Sequence, residues 1–217
     1  MKKAADGTLV PRATGLVLHA AAFYDLTVWL SMFGRERAFR EKVLGLARLE
    51  SGDNVLDVGC GTGTLAIAAK RRIGSTGAVR GIDASPEMIA RAAMKARKAG
   101  IDVVFQNAAA QALPFPNAQF DAVLNTIMLH HLPRKAREQC AREIRRVLKP
   151  GGHVLVVDFA LPAREKKGSF AHLHRHGHVS LSDIIAVLSE AGLSVVECGA
   201  VGISDMQFVL ATTPSST

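Results

Sequence analysis

The chain has 217 residues, 48% of them hydrophobic and 21% charged, enough to bury one large core (or two small ones) without a disulfide or metal staple, and too apolar for a disordered, collagen-like or mucin-like chain. Its formal net charge of +8 admits an anionic partner, whether nucleic acid, phospholipid surface or acidic substrate, and does not choose among them. Cys60, Cys140 and Cys198 are odd in number and far apart, so no disulfide framework or CxxC knuckle is readable and a reducing cytoplasm is the expected compartment.

The opening MKKAADGTLVPR carries charge but no apolar run ahead of a small-residue cleavage site, so no secretory signal is read. Gly15–Gly34 is about as long as a spanning helix. It holds His19 and Asp25, however, and a central Asp is costly in lipid, so an interfacial or lid helix is expected there. The first 50 residues are expected to be helical and to precede the main domain at 51–217.

From there short apolar runs alternate with helical stretches. Asp53–Val58 reads as a buried strand, Thr62–Arg72 as an Ala-rich helix and Ala78–Asp83 as a strand. Ser85 is a good N-cap, Pro86 suits the first helical position and Gly100 stops the chain, which predicts a helix over Pro86–Ala99. Ile101–Gln106 and Phe120–Asn125 read as strands, and Arg134–Leu148 as a basic helix stopped by Pro150, Gly151 and Gly152. His153–Phe159 is strand-like, and Ser182–Ala191 is a helix capped by Ser180 or Ser182. Leu193–Cys198 and Met206–Thr212 close the chain as an antiparallel edge hairpin. This alternation predicts an α/β fold: a doubly wound, mostly parallel sheet of seven strands with helices on both faces.

In such sheets a ligand sits beyond the carboxyl ends of the strands, where strand order switches. The first βα turn is Asp57-Val58-Gly59-Cys60-Gly61-Thr62-Gly63. Its glycines allow a tight turn and a close approach, and the helix that follows offers unpaired N–H groups. Asp83 closes the next strand twenty residues past Gly63, the spacing at which a carboxylate reaches ribose hydroxyls. The spacing is GxGxG rather than the dinucleotide GxGxxG, and no P-loop lysine follows. Asp57 would repel a pyrophosphate but suits an ammonium. The residues therefore favour S-adenosyl-L-methionine, a cationic sulfonium with an amino-acid tail, and disfavour a nicotinamide-dependent oxidoreductase.

VLDVGCGTG, GIDASPEMI, LPFPNAQFDAV, LHHLPR and EIRRVLKPGGHVLVVDF, in that order, resemble the successive motifs of class I S-adenosylmethionine-dependent methyltransferases. The ubiquinone/menaquinone C-methyltransferase-like family is the nearest in pattern, and AAFYDLTVWLSMFGRER looks like its N-terminal helical lid. The likeness spans about residues 20–160 and implies a Rossmann-like sheet with an antiparallel last strand. By position it implies that Asp57, Gly59, Gly61 and Gly63 line the methionine part. Asp83 would bind the ribose, Ala84 and Met88 would lie beside the adenine, and Asn125 and Thr126 would face the reactive end. Where the family often has an acid that takes the adenine amino group, this chain has Ala109, leaving the backbone at Ala109 and Ala110 to read the base. The fold serves many acceptors. A quinone precursor comes first among small apolar or amphipathic ones, then a phospholipid or other small metabolite, with a non-catalytic cofactor-binding protein as the rival class.

A base is needed where the acceptor must lose a proton. His131 is the first candidate and His130 the second, because LHHLPR follows the strand that meets the cofactor; Tyr24 is placed to close over the site from the lid. His172, His174, His176 and His178 would share one face of a strand, but no cysteine or carboxylate accompanies them, so a loop rim is preferred to a metal site. The basic residues of the Arg134–Lys149 helix read as a solvated face with i,i+4 pairs. Together with Lys2, Lys3, Arg12 and the Arg35–Lys42 cluster they could instead rest on an anionic membrane surface, which makes the expected location cytoplasmic or peripheral to the membrane. Aromatics at 5% leave no stacking stripe for nucleic acid.

Overall fold

The computed structural model describes residues 2–3, 9–10, 36–160, 179–203 and 205–215. Tyr24, Gly15–Gly34 and the histidine string at 172–178 lie outside them. The described residues at the start of the N-terminal segment are strand rather than helix: β1 (Lys2–Lys3) pairs antiparallel with β2 (Leu9–Val10). Helix α1 (Glu36–Leu46) buries Phe39, Val43 and Leu44. Among the described residues no helix is long and apolar enough to cross a membrane.

The main domain follows in chain order as β3 (Asn54–Val58), α2 (Thr64–Ile73), β4 (Ala78–Asp83), α3 (Pro86–Ala99), β5 (Val104–Asn107) and β6 (Phe120–Thr126). After a 3-10 turn at Leu129–His131 come α4 (Arg134–Val147), β7 (Leu148–Phe159), α5 (Leu181–Glu190), β8 (Ser194–Ala200) and β9 (Met206–Thr212). The seven main strands lie in the order β5-β4-β3-β6-β7-β9-β8. β9 is antiparallel to both neighbours, and the other pairings are parallel. The expected Rossmann-like α/β sheet is thus observed, with β9 inserted between β7 and the edge strand β8.

Strand alternation divides the core between the two faces. Leu56, Val123, Val154 and Val156 pack with Ile144 of α4 and Ile184 of α5. Val55, Leu124, Leu155 and Val157 pack on the other face with Val43 of α1 and Leu65 of α2. Chain order runs outward from β3 through β4 to β5 on one side and through β6 to β7 on the other, so the switch in strand order lies between β3 and β6.

Local signals set most element ends. Ser85 Oγ accepts the Met88 N–H at 3.3 Å, Pro86 opens α3, and Gly100 ends it at φ 63°. Because Ile101 N–H still bonds to Ala96 O, β5 begins at Val104 rather than at Ile101. Of the two proposed caps of α5, Ser180 is the one used, accepting the Asp183 N–H at 3.0 Å. Pro150, Gly151 and Gly152 do not stop α4. That helix ends at Val147, and the three residues form an irregular opening of β7, between the pairings Phe120↔Leu148 and Ala122↔His153. Thr213 holds this opening, its Oγ1 donating to Lys149 O at 2.7 Å and its N–H to Gly152 O at 2.8 Å.

Candidate functional site

β3 delivers Asp57 to the switch point, and the chain then turns through Gly59, Gly61 and Gly63 at φ 78°, 51° and 77°. Side chains rarely adopt these values, which is why glycine occupies them. The N–H groups of Gly59 and Cys60 both donate to Ile82 O at 2.9 Å, sewing the turn to β4. The Asp83 carboxylate completes the link, accepting from Gly61 N–H at 2.9 Å and from Ser85 N–H at 2.9 Å, one bond on each oxygen. Each oxygen retains a further lone pair for a hydroxyl donor. Burial pushes Asp83 above the ordinary carboxylate range, against the N–H groups that stabilise its charge.

Asp57 has less help. It is 1% exposed, neither of its oxygens makes a hydrogen bond of ordinary geometry, and among backbone groups only the Ala66 N–H eases its charge. Burial, then the neighbouring charge of Asp83, pushes it up to about 7. Asn125, fully buried at the end of β6, donates from Nδ2 to Val58 O at 3.4 Å and leaves Oδ1 unpartnered. Buried acceptor oxygens without a hydrogen-bond partner thus lie at the ends of both strands that flank the switch point, on Asp57 of β3 and on Asn125 of β6. Native interiors rarely leave such groups unpaired unless a ligand or ion completes them. The ligand that fits brings donors and positive charge. An amino-acid ammonium beside a sulfonium does so, whereas a pyrophosphate brings only acceptors and negative charge.

The remaining expected cofactor residues gather along the same edge. Asn107 of β5 pairs in register with Asp83 and donates from Nδ2 to its carbonyl at 2.8 Å, and Ala108 N–H donates there at 3.1 Å. This brings buried Ala109 and half-buried Ala110 to the end of β4, near Ala84 and buried Met88. Met128 roofs the turn: a Cβ on Gly59 would lie 2.5 Å from its Cγ. Gly63 differs from Gly59, because its missing Cβ faces the Phe105 ring and Ala92 rather than the Met128 side chain. Its glycine is accounted for by helix-to-sheet packing.

The loop after Ala110 is held by a pair that the sequence reading placed on a solvated face. Arg146 of α4 donates from Nε and Nη2 to the two carboxylate oxygens of Glu143, and to Leu113 O at 2.9 Å, Phe115 O at 2.7 Å and Asn117 Oδ1 at 3.0 Å. Glu143 in turn accepts the Leu113 N–H at 2.7 Å. Hydrogen bonds to charged groups contribute about 1.5–3 kcal/mol. Arg146→Ala is therefore expected to destabilise the protein by about 2 kcal/mol, read as a lower urea midpoint at unchanged slope. An unchanged midpoint would show that other contacts hold this loop. Elsewhere on α4, Arg134 makes the expected i,i+4 pair with Glu138 at 3.1 Å.

On the far side of the switch point, His130 and His131 occupy the 3-10 turn after β6, their ring centroids 3.9 Å apart. Asp158, fully buried near the end of β7, lies 2.7 Å through Oδ1 from His130 Nδ1, and its Oδ2 accepts the His130 N–H at 3.1 Å. Asp158 thus pairs with His130, the second of the two histidines named from the sequence. Asp158 escaped the sequence reading, although HVLVVDF ends in an acid much as AVRGID does. Among the described residues no three His, Cys, Asp or Glu side chains cluster as a metal site. Cys60 and Cys140 are buried, and burial raises both thiols, Cys140 to about 12.

Comparison with known proteins agrees with this geometry. Residues 55–152 match the family model described as "Methyltransferase domain". The chain is 38% identical over 152 residues to a demethylmenaquinone methyltransferase of Thermus thermophilus, covering 70% of this chain and 66% of the relative. It is 34% identical over 176 residues to a ubiquinone/menaquinone biosynthesis C-methyltransferase of Citrobacter koseri, covering 77% and 69%. The chain thus spans about two thirds of the length of these curated relatives. Among solved structures, a SAM-dependent methyltransferase from Aquifex aeolicus superposes with a TM-score of 0.69 at 27% identity, covering 80% of this chain and 88% of the other.

Proposed function

Because the chain belongs to the class I S-adenosylmethionine-dependent methyltransferases, in the ubiquinone/menaquinone C-methyltransferase-like family, we propose that it transfers a methyl group from S-adenosyl-L-methionine to a small, apolar or amphipathic acceptor, a quinone precursor first. The observation that carries this reading is the buried carboxylate of Asp57 at the end of β3, whose oxygens make no hydrogen bond of ordinary geometry. When bound, S-adenosylmethionine supplies an electrophilic methyl group on a sulfonium.

The chain's own residues bind and orient. Asp57 takes the ammonium, and Gly59 and Gly61 let the backbone approach the amino-acid end. Asp83 accepts from the ribose hydroxyls while still bracing Gly61. Ala84 and Met88 border the adenine, and the backbone at Ala109 and Ala110 reads its edge in place of the family's acid. Asn125 and Met128 border the reactive end. Displacement at a sulfonium needs nucleophile, carbon and sulfur nearly in line, and such positioning supplies roughly 7–11 kcal/mol.

Calorimetric titration is expected to give one site for S-adenosylmethionine and none for NADH. The reverse pattern would overturn the reading. Incubation with a labelled methyl donor and a lipid extract is expected to label a quinone-sized apolar product. Label confined to phospholipid would replace the quinone precursor as acceptor, and cofactor binding with no product from any extract would leave a binding protein.

A further inference from the structure

We propose that Lys95 is a positioning residue for the amino-acid end of the methyl donor, holding the glycine turn in its binding shape from the neighbouring helix. The inference rests on the methyl-transfer reading above and adds to it a residue that acts through the turn.

On the β4 side the turn is sewn down by the N–H groups of Gly59, Cys60 and Gly61. Its other end, Thr62-Gly63-Thr64, leads into α2, where Gly63 stands at φ 77° in the N-cap position and offers no side-chain cap. Glycine in that region has wide conformational freedom, so this end of the turn keeps one shape only if something outside holds it. α3 supplies the hold. Its Ala92 packs beside Gly63, 2.8 Å from where a Cβ would stand. One turn further along α3, half-buried Lys95 donates from Nζ to Thr62 Oγ1 at 2.8 Å and to Thr64 Oγ1 at 3.1 Å. The two hydroxyls are 3.4 Å apart, and Thr62 is buried. A single ammonium thus clasps the residues on either side of Gly63.

A cation is an unexpected choice there, because the dipole of α2 favours negative charge at its N-terminus. The hydrogen-bond inventory gives the reason. Lysine has three donors and no acceptor. It can tie the turn through the threonine hydroxyls without consuming the N–H groups of the first turn of α2, which have no partner within the helix. A serine or aspartate cap would accept from those N–H groups. Left open, they suit an anion, and the amino-acid end of S-adenosylmethionine carries a carboxylate beside the ammonium that Asp57 takes. Lys95 therefore bears on the amino-acid end, whereas the ribose end answers to Asp83 at the close of β4.

The test compares two ligands that differ in that end. Lys95→Met keeps an unbranched apolar stem and removes the donor. It is expected to weaken S-adenosylhomocysteine about 10-fold and 5′-methylthioadenosine, which lacks the amino-acid end, by less than about 2-fold. Ligand-detected NMR reads both affinities, and urea unfolding checks the fold. Thr62→Val removes one of the two hydroxyls and is expected to show the same selective loss in smaller measure. Combined with Lys95→Met it is expected to lose no more than Lys95→Met alone, because one clasp is being broken. Equal weakening of both ligands marks a general loosening and overturns the proposal, as do unchanged affinities or losses that add in the double variant. If Lys95→Met does not fold, the same ligand comparison on Thr62→Val decides, and if the wild type binds the shorter ligand too weakly to measure, the double variant decides. Failure of the wild type to bind either S-adenosylmethionine or S-adenosylhomocysteine overturns the parent reading instead.

Discussion

Asp57→Asn is expected to weaken S-adenosylmethionine binding at least 100-fold and, at the same time, to make the ligand-free protein more stable than the wild type above neutral pH. Both effects have one cause. The carboxyl is buried, its oxygens make no hydrogen bond of ordinary geometry, and burial with the nearby Asp83 raises it from 3.8 to about 7. At about 1.4 kcal/mol per pH unit, ionising it in the folded, ligand-free protein costs roughly 4 kcal/mol. The folded chain therefore holds this proton more tightly than the unfolded chain. The contribution to stability is complete below the ordinary value of 3.8 and is lost as pH rises through about 7.

Asparagine has the same shape and does not ionise, so it escapes that loss. Urea unfolding at pH 5 and pH 8 is expected to show the midpoint of the wild type falling relative to that of Asp57→Asn. Parallel pH curves would show that Asp57 is not the titrating group. A cationic ligand reverses the balance, because it favours the ionised carboxylate. Affinity for S-adenosylmethionine is therefore expected to rise from pH 5 to about pH 7 and then level off in the wild type, and to show no such rise in Asp57→Asn. Ionising Asp57 thus costs stability in the ligand-free protein, and a bound cation is expected to offset that cost.

The elements that could be read from the sequence are those whose ends are set locally. Ser85, Pro86 and Gly100 each act on their immediate neighbours, and α3 runs between them as expected. β4 and β9 also match residue for residue, since a short apolar run between breakers has little else to become. Pro150-Gly151-Gly152 misled because the same residues that end a helix also suit an irregular strand opening, and the choice is made by Thr213, distant in sequence. The site followed the same division. The glycine turn and Asp83 are local, and the structure joins them directly. The pairing of His130 with Asp158 was not legible, because the carboxylate lies 28 residues away on another strand. Arg146 looked like one more surface charge for a similar reason, its partners Leu113, Phe115 and Asn117 lying about 30 residues upstream.

Gly63→Ala is expected to be more damaging than Gly81→Ala, and Phe105 supplies the way to test why. The ring of Phe105, carried on β5, packs over two glycines at once. A Cβ on Gly81 would lie 2.7 Å from its Cδ1 and 3.0 Å from Cys60 Sγ, and a Cβ on Gly63 would lie 2.7 Å from its Cζ and 2.8 Å from the Ala92 Cβ. Only Gly63 adds a left-handed backbone, at φ 77°. Overpacking costs about 1–3 kcal/mol, and the left-handed backbone adds roughly 1–2 kcal/mol for a residue with a Cβ. Gly63→Ala should then lose roughly 2–5 kcal/mol, and Gly81→Ala about 1–3 kcal/mol. Pairing each with Phe105→Ala separates the two contributions. The Gly81 substitution is expected to be largely relieved once the ring is gone. The Gly63 substitution is expected to keep most of its loss, because neither the backbone angle nor Ala92 has changed. Equal relief at both positions would show that the ring alone forbids a side chain there, and that the backbone of the turn adapts. Gly63 also leads into α2 two residues after Gly61, whose N–H holds Asp83. The residual loss at Gly63→Ala is therefore expected to appear in the Kd for S-adenosylmethionine as well as in the unfolding midpoint, whereas Gly81→Ala with Phe105→Ala should recover both.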